Sequence, residues 1–270
     1  MAGLVAGYLG PEGTYSSIAA HTLLPDANAV AYPSFFALFN ALESGEVDRI
    51  VLPIENTLNG AVTQNLDLLQ ERQNVYAEKS CRVKVDHRLI TLDGTQVSSV
   101  KHIYSHPQAL AQCAKYLAEN FPLARLHETA STADCINMIV NEECAGIVGA
   151  HCKRSGFTLS ANSISDEENN CTQFLLVNKG CVPQDTKSDR IFFTVTCQHR
   201  TGALVELLNL LRERGINMTK IESRPIKKMA GQFRFFIETE GNYASPKVKD
   251  ALITLEQASL SFKLLGCYFN

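Results

Sequence analysis

The chain has 270 residues, 45% of them hydrophobic and 20% charged, with a net charge of −3 at pH 7. That is enough apolar material for one large or two modest domains with real cores, and the absence of any basic block or stripe removes the electrostatic footprint of a nucleic-acid binder. No segment approaches the roughly 20 apolar residues of a membrane-spanning helix, and MAGLVAGYLG lacks the basic start and long apolar core of a secretory signal, so a soluble protein that stays in the cytoplasm is expected, with neither nucleic acid nor membrane as partner.

In chain order, residues 3–180 alternate short apolar runs with helical periodicity. LVAGYL reads as a strand and SSIAAHTLL as a helix; AVAYP is a strand and FFALFNALESG a helix stopped by Gly45; RIVLPI is a buried strand and AVTQNLDLLQE an amphipathic helix. This βαβα order predicts a mostly parallel sheet with helices on both faces. Around residues 79–92 the extended run CRVKVDHRLITL has no helix inside it and marks a crossover into a second lobe. KHIYS, a helix over PQALAQCAKYLAEN, ARLHET, a helix over STADCINMIVNEE and the strand AGIVGA then repeat the alternation, after which FLLVN returns to the first lobe. Two similar α/β lobes leave a cleft between them, the usual place for a small-molecule site. VNKGCVPQDTKSD reads as a linker. Beyond it, RIFFTVTC, GALVELLNLLRER, NMTKIESRPI, QFRFFIETE, SPKVKDALITLEQ and SLSFKLLGCYF give βαββαβ, a ferredoxin-like domain. The expected division is therefore 1–180, with lobes at 1–80 plus 160–180 and at 81–159, followed by 188–270.

Nine cysteines, odd in number and without a C-x-x-C, read as reduced thiols, mostly small buried apolar residues. His102 and His106 stand four apart, but in a β-rich run ending at Pro107, where that spacing does not share a helical face. With no H-E-x-x-H or paired cysteines, no metal site is expected.

Chemistry concentrates in loops at strand ends. In GPEGTYS, residues 10–16, Gly10 and Gly13 permit a tight turn, and Thr14 or Ser16 can cap the helix while free N–H groups receive an anion. The glycine spacing is not a dinucleotide fingerprint, and turn-and-cap is the plainer role. PIENTLNG, residues 53–60, packs Glu55, Asn56, Thr57 and Asn59 into one loop at the carboxyl end of a buried strand. That density suits a polar, oxygen-rich ligand, although an Asx turn alone would account for Asn56 and Asn59. SHPQAL (105–110) and TAST (129–132) precede helices in the same way, so Ser105, His106, Thr129, Ser131 and Thr132 would face the cleft from the other lobe. Each alone is a plausible N-cap; four converging loops indicate a site.

GPEGTYS, PIENTLNG, SHPQAL, TAST and the N-x-T-x-F of NNCTQF, in this order and spacing, resemble the prephenate dehydratases of phenylalanine biosynthesis, and GALV (202–205) with ESRP (222–225) resemble the phenylalanine-binding motifs of that family's ACT regulatory domain. The resemblance runs over essentially the whole chain. It implies a periplasmic-binding-protein-like (type II) two-lobed α/β catalytic region followed by the ACT domain, assembled as a homodimer or homotetramer. It also implies conversion of prephenate to phenylpyruvate, water and carbon dioxide without metal or organic cofactor, under feedback inhibition by L-phenylalanine. Carried over residue by residue, Thr172 is the catalytic residue. Thr14, Asn56, Thr57, Ser105, His106, Gln108, Thr129, Ser131, Thr132, Gln173 and Phe174 bind substrate. Gly202, Ala203, Leu204 and Val205, together with Asn217, Met218, Glu222, Ser223, Arg224 and Pro225, hold phenylalanine at the interface between ACT domains.

The family's T-R-F reads Thr172, Gln173, Phe174 here. Prephenate carries two carboxylates, and a guanidinium would fork onto one of them; glutamine keeps two N–H donors and loses the charge, at a cost on the order of 1 kcal/mol or somewhat more. Three readings follow: a working enzyme with weaker substrate binding, one in which Lys153 or Arg154 compensates, or a catalytically degenerate phenylalanine-binding protein. Retention of all four cleft loops and of Thr172 favours a working enzyme. Preference for arogenate over prephenate stays open.

Overall fold

The structure, a computed structural model, describes residues 3–226 and 231–270. The first lobe comprises β1 (Val5–Leu9), α1 (Tyr15–Leu23), β2 (Asn28–Tyr32), α2 (Phe35–Ser44), β3 (Arg49–Asn56), the two-residue β4 (Gly60–Ala61), α3 (Thr63–Glu71) and β5 (Val75–Lys84). Two of its helices, α1 and α2, start where the sequence offers caps: Thr14 Oγ1 accepts from Ser17 N at 3.3 Å, and Ser34 Oγ from Ala37 N at 3.1 Å. The second lobe follows with β6 (His87–Leu92), β7 (His102–Ser105), α4 (Pro107–Gln112), α5 (Ala114–Asn120), β8 (Arg125–Glu128), β9 (Cys144–Gly149) and a strand not expected from the sequence, β10 (Phe157–Leu159). β11 (Cys171–Lys179) re-enters the first lobe between β5 and β3, antiparallel to both. The C-terminal part is β12 (Arg190–Thr196), α6 (Ala203–Glu213), β13 (Met218–Pro225), β14 (Phe233–Glu240), α7 (Pro246–Ala258) and β15 (Ser261–Tyr268), the expected βαββαβ.

Two further elements of the second lobe differ from expectation. The helix over 107–120 breaks at Cys113 into α4 and α5, and the helix over STADCINMIVNEE is only a 3-10 turn, Asp134–Met138. There Ser131 Oγ bonds Asp134, and Asn141 bonds the backbone of Glu143, so short polar side chains draw the backbone into turns while the β-branched Ile136, Ile139 and Val140 give the helix little support.

The strands assemble into two sheets. The second lobe has five strands in the order β10-β6-β9-β7-β8. The first lobe and the C-terminal domain share one sheet of ten, ordered β13-β14-β12-β15-β5-β11-β3-β1-β2 with β4 paired to β3. Both sheets mix parallel and antiparallel pairs. The join in the large sheet is a single parallel register pair, Gly266 with Ala77. Only glycine fits, because a Cβ at 266 would stand 2.6 Å from both Cβ and O of Ala77. The C-terminal domain also folds over one face of the first lobe: Phe192, Phe236, Leu265 and Tyr268 share a core with Leu38, Ile54, Leu175 and Val177. The opposite face of β11, with Phe174 and Leu176, packs under α1 against Tyr8, Ala19 and Val51. β11 is thus covered on both sides, which is why it is a continuous apolar run rather than an alternating one.

Candidate functional site

β11 and β3 place the centre of the site. Pro53 has no N–H to give to a central strand, and beside it the pairing shifts: Gln173 faces Glu55, but Phe174 faces Pro53, so Ile54 is the extra residue of a bulge. The bulge re-aims the strand end, and Asn56 lies opposite Thr172 at its mouth.

Asn56 is buried and makes both kinds of bond that its loop suggested. Its Oδ1 accepts from Leu58 N and Asn59 N, each at 3.1 Å, closing the PIENTLNG turn. Its Nδ2 donates to Asn170 Oδ1 at 2.7 Å and to Thr172 Oγ1 at 3.0 Å. With that oxygen already accepting, the Thr172 hydroxyl hydrogen has no acceptor among the described residues and is available to a ligand. The chain of bonds continues into the second lobe: Asn170 Nδ2 donates to Gln112 Oε1 at 3.0 Å, and His87 Nε2 donates to the same oxygen at 2.8 Å. Burial pushes the His87 pKa below its ordinary 6.5, more than its bond to Gln112 and the charge of Asp86 raise it, so the ring is neutral with its proton on Nε2.

Asn56, His87, Gln112 and Thr172 line a cleft of about 330 Å³ between the lobes. Of the expected site residues, Thr14, Asn56, His106, Gln108, Ser131, Thr132, Thr172 and Phe174 come together there. Thr14 and His106 are also N-caps, of α1 and α4, so two helix N-termini open on the cleft. An anion would meet free N–H groups at the start of α1, whereas at α4 Pro107 has none and the N–H groups of Gln108 and Ala109 bond back to His106.

Four expected substrate contacts lie elsewhere. Ser105 is fully buried and donates to Ile147 O at 2.7 Å, tying β7 to β9. Thr57 Oγ1 donates to Asn169 O and accepts from Cys171 N, each at 3.0 Å, bracing the turn into β11. Thr129 Oγ1 donates to Ser131 O at 2.8 Å within its own loop. Gln173, 5% exposed, points away from the cleft, because consecutive strand residues take opposite faces and Thr172 and Phe174 hold the cleft side. Its Nε2 donates to Glu238 Oε2 of the C-terminal domain at 3.4 Å.

Sequence reasoning missed His87, Gln112, Asn170 and Tyr15, which also touch this site. The signal for Asn170, Gln112 and Tyr15 was present, in NNCTQF, SHPQALAQ and GPEGTYS; for His87 it was absent. Tyr15 Oη donates to Asp86 O at 3.1 Å and packs edge-on against His151 at 5.2 Å, while His151 Nε2 donates to Gly13 O at 2.8 Å. These contacts tie the lobes at the rim. Among the described residues no lysine or arginine lines the cleft; Lys153 and Arg154 line an adjoining hollow of about 610 Å³ that shares Thr132 with it.

The family model for prephenate dehydratase matches residues 6–181 and that for the ACT domain residues 191–256. The chain belongs to the prephenate dehydratase family. It is 34% identical over 266 residues to the prephenate dehydratase of Amycolatopsis methanolica, covering 97% of this chain and 87% of that one. It is 31% identical over 283 residues to arogenate dehydratase 2 of Petunia hybrida, covering 98% and 71%. The crystal structure of the prephenate dehydratase of Arthrobacter aurescens in complex with L-Phe superposes with a TM-score of 0.88 at 29% identity, covering 99% and 90%.

In the ACT domain, Gly202, Ala203, Leu204 and Val205 line a hollow of about 210 Å³ at the start of α6, with Phe233 and Phe235 of β14. Gly202 is the N-cap with φ +81°, a conformation that favours glycine and turns the first N–H groups of α6 outward. The other expected effector residues do not line it. Asn217 leads into β13, and Met218, Glu222, Ser223, Arg224 and Pro225 lie along that strand, the edge of the large sheet. Arg224 is engaged within the chain, its Nη2 2.8 Å from Asp67 Oδ2 on α3.

Proposed function

We propose that this family member dehydrates and decarboxylates prephenate to phenylpyruvate, with the catalytic region at 1–180 and the regulatory domain at 188–270. The observation that carries the reading is the Thr172 hydroxyl, fixed as an acceptor by Asn56 and free to donate into the cleft. The carbon–carboxylate bond breaks to release carbon dioxide, its electron pair enters the ring, and the ring carbon–oxygen bond breaks as hydroxide leaves. One proton drawn from the bulk solvent, relayed by a water, turns that hydroxide into water, so the dianion and one proton give phenylpyruvate monoanion, carbon dioxide and water. Aromatisation drives the reaction, so the protein mainly orients the substrate and eases departure of the oxygen. A threonine hydroxyl is a poor acid; Thr172 acts as a hydrogen-bond donor to the leaving oxygen, and the proton arrives through that water. The N-terminus of α1, capped by Thr14, and the His106 ring receive one carboxylate; Lys153 and Arg154, across Thr132, supply the charge for the other.

L-phenylalanine, which the Arthrobacter aurescens relative binds, would inhibit from the hollow at Gly202–Val205. Within one chain β13 leaves that hollow incomplete, while Val205, Ile221 and Phe233 stand exposed. A second copy would bring Glu222 and Ser223 to it, as a homodimer or as half of a homotetramer. The test is phenylpyruvate formation from prephenate by purified protein, with arogenate assayed alongside and phenylalanine titrated in. Turnover of prephenate that vanishes in Thr172→Ala and falls with phenylalanine in the wild type but not in Glu222→Ala is expected. Failure of the wild type to turn over either substrate would overturn the reading, and preference for arogenate would correct the substrate.

A further inference from the structure

Gln173 stands one residue from Thr172, yet its side chain lies in the seam between the catalytic sheet and the ACT domain. Its partner Glu238 is 4% exposed and receives Tyr268 Oη at 2.6 Å, Thr219 Oγ1 at 2.7 Å and Gln173 Nε2 at 3.4 Å, with Arg190 Nε 3.9 Å away. Opposite Gln173 on β3, Glu55 takes an ion pair at 2.8 Å from Lys220 of β13, whose side chain is 8% exposed. Both strands that carry the cleft residues Asn56 and Thr172 are therefore gripped from behind, at the neighbouring residue, by the ACT domain. A buried carboxylate is costly to leave short of donors, so this contact constrains the end of β11.

We propose that Gln173 is a positioning residue: its buried contact with Glu238 fixes the orientation in which β11 presents Thr172. Glutamine in place of the family's arginine then changes the grip between domains and not the grip on substrate. The positioning role rests on the reading of Thr172 given above; the contact itself does not.

Two measurements test it. The first is a double-mutant cycle on unfolding by denaturant with Gln173→Leu, Glu238→Gln and both, which needs no activity. The double variant is expected to keep a folded-to-unfolded ratio at least threefold above the product of the single losses; purely multiplicative losses overturn the contact. The second is steady-state kinetics on prephenate. Gln173→Leu is expected to lower kcat at least threefold with KM within twofold, and Gln173→Arg, which keeps donors toward Glu238, to restore kcat and raise Tm without lowering KM. A KM that drops severalfold in Gln173→Arg, or rises in Gln173→Leu with kcat unmoved, would put Gln173 on the substrate and overturn the proposal, as would kcat and KM both unmoved in Gln173→Leu. If the wild type forms no phenylpyruvate, the functional reading fails and the positioning role falls with it, while the cycle still decides whether the two domains meet through Gln173.

Discussion

The two lobes meet the cleft in similar ways and the rest of the molecule in different ones. The five strands of the second lobe form a separate sheet, and side chains link that lobe to Thr172, from His87 and Gln112 by way of Asn170 and Asn56. The first lobe's sheet runs on through Gly266 and Ala77 into the ACT domain, and the backs of β3 and β11 carry Glu55 and Gln173 into that seam. The ACT domain therefore touches the first lobe's sheet directly, at the strands that carry Asn56 and Thr172, whereas the second lobe contributes a wall and a hydrogen-bond chain.

Removing the centre of this arrangement should have the largest effect. Thr172→Ala is expected to lower kcat about 100-fold or more, with Thr172→Ser recovering much of it, by steady-state phenylpyruvate formation. A fall of less than tenfold would move the chemistry off the first lobe's sheet. Asn56→Ala removes the amide that closes its loop, reaches Asn170 and orients Thr172. A loss of about 2–4 kcal/mol in chemical denaturation should accompany the fall in kcat, at about 1 kcal/mol or more for each bond broken or buried group left unpaired.

Gly266→Ala probes the join between domains. The added methyl has to force the β15–β5 pair apart at Ala77, which costs about 1–3 kcal/mol, and phenylalanine inhibition should weaken more than uninhibited turnover does. Inhibition unchanged at full strength would mean that the two domains communicate by another route.

The smallest effect tests the second lobe. Because the pKa of folded His87 lies below its ordinary 6.5, the unfolded chain binds the proton first as pH falls. Its contribution is fully present above 6.5 and is lost as pH drops below it toward the folded value, by up to about 1.4 kcal/mol per pH unit. Denaturation midpoints measured across this range should fall more steeply in wild type than in His87→Asn. Parallel curves would show that His87 does not enter the folded state neutral.

Much of this was legible because it depends on neighbours in the chain. The caps at Thr14 and Ser34, the stop at Gly45 and the βαββαβ order of the C-terminal domain follow from local rules. Eight expected cleft residues meet for the same reason: loops at the carboxyl ends of strands in two facing lobes converge. The misses came from polar groups that found partners far away in sequence. Ser105 and Thr57 have the hydroxyls of binding residues but spend them on Ile147 and on the chain beside Cys171. Arg224 reads as an effector ligand and is held by Asp67, 157 residues earlier.

The sequence by itself determined the kinds and order of most elements, the loops that face the cleft and, through its motifs, the family. The tertiary structure alone decided what covers each face of β11. A period of two requires Gln173 to point opposite to Thr172 and Phe174, but a strand buried on both sides gives no alternation to say which face meets substrate and which meets Glu238. That assignment depends on the fold of a domain that begins some 15 residues later in the chain, which no local pattern around NNCTQFLLV encodes.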